Sequence, residues 1–452
     1  MSHKSSEELG TKSISRLIFK QSVPASIGIL VMSLNLIVDT IFVGNWIGAT
    51  AIAVVTIVLP IVFLIASVGM AIGIGGASVI SRALGDQNVS KAHQTFGNQI
   101  VLAVLVPSFL ALIGVLLRDE ALALFGAKGG IIEPAQAYYG ILMSASPFLA
   151  LIMTGNPVIR AEGKPRFSMV AMIVTSIADS VLDYIFIVVF DYGIVGAAWA
   201  TIMSYFASFL FVFWFFISSH SELKIKLKCF TLKRNIVSEI TSLGGVTLAR
   251  QGTVSLMFIV LNHTLFSYGG EESLAIYGII NRMLMFALFP IMGIAQGFMP
   301  IAGYNFGANK IYRLKETINK SILYASIIGL FIFSFIMVFP EAIVRVFTDD
   351  SYLLSNTPNA LRIVFGATLL IPIQLIGSAY FQAIGRARPA LFLTLSKQGF
   401  FLIPLILTLP LYFGVIGVWI AFPIADLLST ILSAFFLRKD LNKKMSLHRV
   451  SN

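Results

Sequence analysis

Apolar residues occur along this chain in twelve long runs, and each run is separated from the next by a shorter polar segment. A helix needs roughly 20 mostly apolar residues to cross the hydrocarbon core of a bilayer. Most of these runs also exceed the length at which a soluble helix would show a polar face. The pattern therefore predicts an all-α polytopic membrane protein with twelve transmembrane helices, called spans 1 to 12 below. The runs cover approximately residues 20–44, 53–78, 97–117, 137–158, 168–190, 193–217, 241–268, 273–303, 320–340, 359–383, 390–412 and 414–437.

Composition agrees with a bilayer environment. Hydrophobic residues make up 57% of the chain, charged residues 12%, and the mean hydropathy is +0.89. The single cysteine, Cys229, excludes an intrachain disulfide and a cysteine-based zinc cluster. The polar N-terminal segment lacks the pattern of a secretory signal peptide. Because a histidine cluster, a nucleophile elbow and a phosphate-binding loop are all missing from the sequence, we expect neither an enzyme nor an ATP-driven pump.

Positive charge alternates between successive loops. The N-tail, the even-numbered loops and the C-tail hold 25 of the 32 Lys and Arg residues, whereas the odd-numbered loops hold only Arg118, Lys128 and Arg345. Lys and Arg are enriched in the cytoplasmic loops of membrane proteins. We therefore expect both termini to be cytoplasmic. The same alternation accounts for the net charge of +11 without a nucleic acid partner.

The second half of the chain repeats the first. The loop GIGGASVISRALGDQNVSKA after span 2 resembles GIAQGFMPIAGYNFGANKIYRLKE after span 8, and two further segments match in the same order. The aligned glycines are Gly85 with Gly307 and Gly163 with Gly385, both 222 apart, and Gly193 with Gly414, 221 apart. Because six spans separate the copies, the halves run parallel. We expect two pseudo-symmetric six-helix bundles around a central cavity, in residues 1–217 and 241–452, joined by a cytoplasmic linker at 218–240. This architecture is typical of a transporter that alternates access.

Three acidic residues interrupt the apolar runs of the first half. Asp39 lies about 8 Å from the outer end of span 1, Asp183 about 10 Å and Asp179 about 16 Å from the outer end of span 5. Thr201 in span 6 falls in the same layer, and Asn35 lies one turn from Asp39. Because Asp179 and Asp183 share a helix face, they repel each other unless a proton or a cation neutralises them. The arrangement indicates a cation switch, and a structural hydrogen-bond cluster is the alternative.

Several segments together resemble the MATE (multidrug and toxic compound extrusion) family, and most of all its DinF-like branch. They are SVPASIGILVMSLNLIVDTIFVG in span 1, SRALGDQNVSKA, RAEGKPRFS, LDYIFI in span 5, GIVGAAWAT in span 6 and PIAGYNFGA after span 8. The resemblance covers nearly the whole chain. It implies secondary active efflux of amphiphilic, often cationic compounds in exchange for H⁺ or Na⁺, without a cofactor. It also implies a monomer in the plasma membrane of a prokaryote, the inner membrane in a Gram-negative cell.

The resemblance also implies roles for individual residues. In DinF-like members, acids in spans 1 and 5, an Asn in span 5 and a Thr in span 6 form a cation site, which maps onto Asp39, Asp183, Asp179 and Thr201. This chain departs from the family at Asp179, where Asn is more common, and this leaves the choice between H⁺ and a Na⁺ ion at these four residues open. Pro24 matches the family's proline in span 1. It either lets the helix bend or forms a static kink.

The second half lacks acids in spans 7 and 8, so the coupling route of the other main MATE branch is not expected. It has Arg250, Lys397 and Asp426 at similar depths in spans 7, 11 and 12. A structural salt-bridge cluster and a charge relay are both compatible with that pattern. Arg282 in span 8 has no evident partner in the sequence.

Soft or polar side chains along the spans are candidates for a cavity that binds small-molecule drugs or toxins, since flexible side chains suit promiscuous binding. Packing against lipid or core is the alternative for each of them. A flippase for lipid or lipid-linked saccharide is the alternative function, and a non-transporting scaffold is a third. The candidate cavity residues are Met32, Met172, Asn262, Asn281, Met283 and Gln296.

Overall fold

A computed structural model describes residues 5–450 of the chain, with side chains up to residue 446. Its first half contains six apolar segments with short connections. Span 4 differs from the single straight helix predicted over 137–158, because it consists of two helices bent by 50° at Ala145. Spans 1 to 6 occupy Ile14–Ile47, Ala49–Gly85, Val89–Leu116, Gly129–Ser144 with Ser146–Ala161, Pro165–Val189 and Gly193–Ile217.

The second half begins with one long helical segment, Arg234–Gly307, of 74 residues. At 1.5 Å per residue it would be roughly 110 Å long, far more than one bilayer crossing needs. Gly270 interrupts it with non-helical angles, φ 62° and ψ −159°, so the segment comprises spans 7 and 8. With this division, the described part of the chain contains the twelve predicted spans. Spans 9 to 12 occupy Ile311–Val338, Ser351–Ala383, Ala387–Phe413 and Val415–Ser446.

The backbone repeats the duplication that the sequence predicts. Residues with positive φ recur at the repeat spacing. Each of them lies in the turn between two helices, where it ends one helix or precedes the next. One of these pairs, Gly48 with Gly270, joins spans 1 and 2 and spans 7 and 8, and the sequence comparison missed it. The pairs are Gly48 and Gly270, Gln87 and Asn309, Gly163 and Gly385, and Gly193 and Gly414.

Two compact units divide the chain. Unit 1 contains the residues up to Thr11 and Ile27–Thr247, and unit 2 contains Lys12–Ser26 and the residues from Leu248 onward. The boundaries therefore differ from the expected 1–217, 218–240 and 241–452, because the linker and the start of span 7 pack in unit 1. The start of span 1 packs in unit 2.

Glycines allow the starts of spans 1 and 7 to pack closely in these units. In unit 1, a Cβ on Gly75 of span 2 would collide with the carbonyl oxygen of Ile240 at the start of span 7. In unit 2, a Cβ on Gly297 of span 8 would collide with Ser22 of span 1. Small residues allow helix backbones to approach closely inside a membrane. The start of span 1 therefore packs against a glycine of span 8 in unit 2, and the start of span 7 packs against a glycine of span 2 in unit 1.

The first residues of the linker are held in unit 1 by hydrogen bonds to two carboxylates, one at the end of span 4 and one in the linker itself. Glu162, at the end of span 4, accepts hydrogen bonds from Ser221 Oγ (2.7 Å) and from the backbone N–H groups of Glu222 (3.0 Å) and Leu223 (3.1 Å). Glu222 in turn accepts two hydrogen bonds from Ser6, one from its backbone N–H (2.8 Å) and one from Oγ (2.6 Å). Burial raises the pKa of the Glu162 carboxyl to about 7, and the three hydrogen bonds counteract this rise.

Candidate cation-coupling site

Asp179 is the centre of a hydrogen-bonded cluster formed by spans 1, 5 and 6 in unit 1. Its side chain is buried, with 5% of the residue exposed. Asn35 Nδ2 donates to Asp179 Oδ2 (2.8 Å), and Ser204 Oγ donates to Oδ1 (3.0 Å). Thr201 also interacts with this carboxylate, although its hydroxyl donates a hydrogen bond to the carbonyl of Ala197 (3.1 Å). The structure therefore brings Asn35, Asp179 and Thr201 together as the sequence predicts, and it adds Ser204.

Asp183 differs sharply from Asp179 in its partners. The residue is fully buried, and neither carboxylate oxygen has a hydrogen-bond partner. One oxygen of Asp39, Oδ1, is also buried without a partner. All three carboxylates lie within electrostatic range of one another. A buried carboxylate without a donor costs several kcal/mol, so the arrangement favours binding of a positive charge or a proton at these oxygens.

Local helix geometry explains how span 5 presents both acids. Asp179 and Asp183 are four residues apart and lie on one face of the α-helical part, Pro165–Asp183. Directly after Asp183 the helix widens into a π-helical segment, Tyr184–Val189. Such wide turns are rare in proteins, and those that occur are often found at functional sites. The α-helical face that carries the acids therefore ends at Asp183.

Two tyrosines that were not predicted from the sequence complete the surroundings, one buried (Tyr138) and one half-buried (Tyr205). Tyr138 of span 4 lies within electrostatic range of all three acids, and Tyr205 of span 6 lies within range of Asp39 and Asp179. Tyr205 follows Ser204 directly, one turn after Thr201, and this spacing was the available signal. A phenol is both a donor and an acceptor. These hydroxyl groups therefore make the environment polar without adding positive charge.

The residues that could hold a cation are these acids and their neighbours. Carboxylate, amide and hydroxyl oxygens suit a hard cation such as Na⁺. Within residues 5–446, however, no three His, Cys, Asp or Glu side chains converge closely enough to hold a metal ion. Asp39, Asp179 and Asp183 therefore do not form a joint ligand set in this conformation. The unpartnered oxygens of Asp39 and Asp183 need only a proton to become neutral.

A small cavity opens beside Asp39. It has a volume of about 130 Å³ and is bordered by spans 1 and 2 of unit 1. Threonine hydroxyls contribute the remaining polar groups, and the other walls are aliphatic. This volume holds a few water molecules. The residues that line it are Leu36, Asp39, Thr40, Val43, Ile52, Val55, Thr56 and Leu59.

Pro24 lies inside the continuous helix Ile14–Phe42 of span 1. Proline removes one backbone donor from the helical ladder. Two residues later, between Ser26 and Ile27, the chain passes from unit 2 to unit 1. The proline therefore marks the place where span 1 changes its packing partner.

The candidate cavity residues have diverse surroundings. In unit 1, Met32 is half-buried and the Met172 sulfur packs against Gly28 of span 1. In unit 2, Met283 packs against the hydrophobic core, which is the alternative that the sequence left open. The three polar candidates range from exposed to half-buried: Asn262 is exposed, and Asn281 and Gln296 are half-buried.

The three charged residues predicted to lie at similar depths in spans 7, 11 and 12 separate into one pair and one unpaired cation. Lys397 Nζ lies 2.5 Å from Asp426 Oδ1, with 16% and 6% of the two side chains exposed. Lys397 belongs to another π-helical segment, Ser396–Leu402. Arg250 makes no ion pair with any residue in the part of the chain that the structure describes, so the expected three-residue cluster is reduced to a pair. Arg282 is exposed.

The acidic site belongs to one copy of the duplication only. The residue 222 positions after Asp39 is Leu261, which is fully buried in the core of unit 2. The two halves thus share their turns and helices but differ in their buried charges.

Comparison with known proteins agrees with this architecture. A family model described as MatE matches residues 24–185 and again residues 248–408. The multidrug export protein MepA of Staphylococcus aureus is 28% identical over 423 residues, which cover 93% of each chain. A MATE crystal structure in the bent conformation superposes with a TM-score of 0.93 at 26% identity, covering 99% of both chains. A structure in the straight conformation gives a TM-score of 0.92 at 26% identity, covering 99% of this chain and 100% of that one.

The family match falls on both halves of the chain, and the structural match extends over nearly all of it. These matches are to multi-pass transporters and not to enzymes. The chain therefore belongs to the MatE family.

Proposed function

We propose that this chain exports amphiphilic, often cationic small molecules across the plasma membrane of a prokaryotic cell, in exchange for protons. The similarity to the multidrug export protein MepA supports the substrate class. The family match supports a transport activity. The observation that carries the proposal is the carboxyl group of Asp183, which is fully buried and has no hydrogen-bond donor on either oxygen.

Protons are favoured over Na⁺ by the distribution of partners in the site. The donors of Asn35 and Ser204 are directed at Asp179 and stabilise its negative charge. Asp183 and Asp39 have unpartnered oxygens close to this charge. Neutralisation of either group by a proton requires no further ligand, whereas a Na⁺ ion requires several oxygens around one point. Na⁺ coupling is the alternative and forms one arm of the test below.

The proposed cycle uses these carboxyl groups as a switch. A proton that enters from outside neutralises Asp39 or Asp183, and this removes the attraction for a cationic substrate in the same layer. Loss of the proton to the cytoplasm restores the charge. Span 1 runs from this site into unit 2 through Pro24, which removes one hydrogen bond from the helical ladder. A change of charge at Asp39 is thereby transmitted along one helix to the other unit.

The Lys and Arg residues are concentrated in every second loop and in both tails, and this distribution supports an orientation with both termini in the cytoplasm. The outer ends of spans 1 and 5, and with them the three acids, then lie nearer the external face. This is the side from which a proton enters when the membrane is energised. We expect the protein to act as a monomer, because all the residues of the proposed site belong to one chain.

The test is substrate efflux from proteoliposomes with the wild-type protein and with Asp39→Asn and Asp183→Asn. A pH gradient and a Na⁺ gradient are imposed separately, and transport of a fluorescent cationic dye is recorded. Both variants are expected to lose gradient-driven efflux while keeping the thermal unfolding midpoint of the wild type or exceeding it, because a buried charge is removed. The pH gradient alone is expected to drive the wild type.

Asp191→Asn is the matched control, since Asp191 is exposed in the loop after span 5 and its φ of 54° is tolerated by Asn. It should transport like the wild type. If Asp39→Asn and Asp183→Asn both pump at the wild-type rate, the site assignment is wrong. If only the Na⁺ gradient drives efflux, the coupling ion is Na⁺ and the proton proposal fails.

A further inference from the structure

The linker between spans 6 and 7 carries an unusual combination of side chains. Four cationic and two apolar residues are exposed within nine positions, and Leu227 is 81% exposed. Leu232 is 49% exposed. Together these six residues are called the linker patch: Lys226, Leu227, Lys228, Leu232, Lys233 and Arg234.

The backbone beneath the linker patch is held rigidly. Gln94 and Asn98, one turn apart on span 3, each donate to the carbonyl oxygens of both Cys229 and Thr231, at 2.8–3.2 Å. Asn98 Oδ1 accepts a further hydrogen bond from the backbone N–H of Lys233 (2.9 Å). Five hydrogen bonds from two buried amides therefore fix the position of the segment on span 3.

The contact with span 3 also fixes the depth of the linker. The apolar run of span 3 begins at about residue 97, so Asn98 lies at the edge of the hydrocarbon region. Gly97 packs directly on Cys229, because a Cβ there would collide with the Cys229 carbonyl. The linker patch is therefore at the level where lipid headgroups meet acyl chains. Exposed leucines at this level face lipid at low cost, whereas they would be unfavourable in water.

The cations of the linker patch have no acidic partners within the described residues. The carboxylates on either side of the linker patch in the sequence are already engaged: Glu222 accepts two hydrogen bonds from Ser6, and Glu239 pairs with Arg82 (2.8 Å) and Lys91 (3.3 Å). A further linker lysine, Lys224, is bound to the carbonyl of Ser218. Four positive charges therefore remain for an external anion at the membrane surface.

We propose that the linker patch binds the headgroups of anionic phospholipids, with Leu227 and Leu232 inserted among the acyl chains. Clusters of four or more Lys and Arg residues next to a transmembrane helix are attracted to anionic lipid. The alternation of charge and leucine gives the segment one apolar and one cationic set of contacts. The linker thereby anchors unit 1 to one leaflet, independently of the ion site.

Depth is tested with a fluorophore on the full-length protein. Cys229→Ser removes the native thiol, and Leu227→Cys provides one labelling site for an environment-sensitive dye in liposomes. Asp86→Cys in the same background is the control, because Asp86 is exposed and lies eight residues beyond the apolar run of span 2. Lipids with a quencher near the headgroup are expected to quench the Leu227 label several-fold more than the Asp86 label. Equal quenching, or stronger quenching of the Leu227 label by aqueous iodide, would overturn the proposal.

The charge requirement is tested by binding of fluorescent phosphatidylglycerol to the purified protein in detergent. The triple variant Lys226→Gln, Lys228→Gln, Lys233→Gln is compared with the matched variant in which the same lysines become Arg. We expect affinity to fall about fivefold for each charge removed and to be retained in the Arg variant. The same affinity in the Gln variant as in the wild type would refute the proposal. Both readouts are independent of drug transport, so they remain interpretable if the proposed function fails.

Discussion

The buried pair between Lys397 and Asp426 offers a direct test of whether the charges of unit 2 are structural. The two side chains are 2.5 Å apart and almost excluded from solvent. Removing one partner leaves the other charge buried and unpaired, which costs about 3–5 kcal/mol. Replacing both by apolar residues of similar size is about neutral, because two desolvation penalties disappear together with the attraction. We therefore expect a strongly non-additive double-mutant cycle.

The cycle consists of Lys397→Met, Asp426→Leu and the double variant. For a unit of about 200 residues, a loss of 3–5 kcal/mol lowers the unfolding midpoint by on the order of 10 °C. Each single variant should show such a loss, and the double variant should return to within a few degrees of the wild type. The midpoints are read by intrinsic fluorescence on the purified protein in detergent, with dye efflux measured in parallel.

Two outcomes would refute this reasoning in different ways. Additive losses, with the double variant the least stable, would show that the two charges do not compensate each other. A double variant that is stable but does not transport would show that the pair acts as a charge relay, which is the alternative left open by the sequence.

Three further predictions concern the linker, the helix contacts and the ion site. Because the Glu162 pKa is raised by burial from 4.5 to about 7, the native state binds an extra proton between these values, and about 3 kcal/mol of stability present below pH 4.5 is lost as the pH rises to 7. Glu162→Gln cannot ionise, so its midpoint relative to the wild type should be higher near pH 8 than near pH 5; a pH-independent difference would contradict this. Gly75→Ala should destabilise by roughly 1–3 kcal/mol in thermal unfolding, since its Cβ meets the backbone of span 7, whereas Gly140→Ala, with open space around the Cβ, should not; equal effects would disprove the close contact. Asp179→Asn removes the negative charge next to Asp39 and Asp183, so proton binding there should weaken and efflux from proteoliposomes should require a lower external pH; an unchanged pH dependence would mean that the extra acid is incidental.

The spans were predictable because a bilayer imposes a length and an apolar composition that few other environments require. The turns were predictable for a related reason: Gly163 and Gly385 occupy left-handed conformations that favour glycine, with φ of 78° and 82°. The bend in span 4 was missed because hydropathy does not change at Ala145, although Pro147 in the first turn of the second helix was an available signal for a new helix start.

The ion site was only partly predictable. Charged residues in apolar runs are conspicuous, so Asp39, Asp179 and Asp183 were identified at once. Ser204 and Tyr138 were not, because hydroxyl groups are common in membrane helices and their role depends on which face meets a neighbour. The pairing of Lys397 with Asp426 to the exclusion of Arg250 likewise depends on helix rotation, which hydropathy does not determine.

The exchange of segments between the units has a consequence for the origin of the chain. Shifting Lys12–Ser26 by the repeat spacing of 222 gives residues 234–248, almost the same stretch of span 7 that packs in unit 1. The first turns of each half therefore pack in the unit that is formed mainly by the other half. An ancestor that contained a single copy would have completed its fold by exchanging the same helical turns with a second molecule. If the two halves were produced as separate chains, each would lack the helical turns that the other half contributes to its unit.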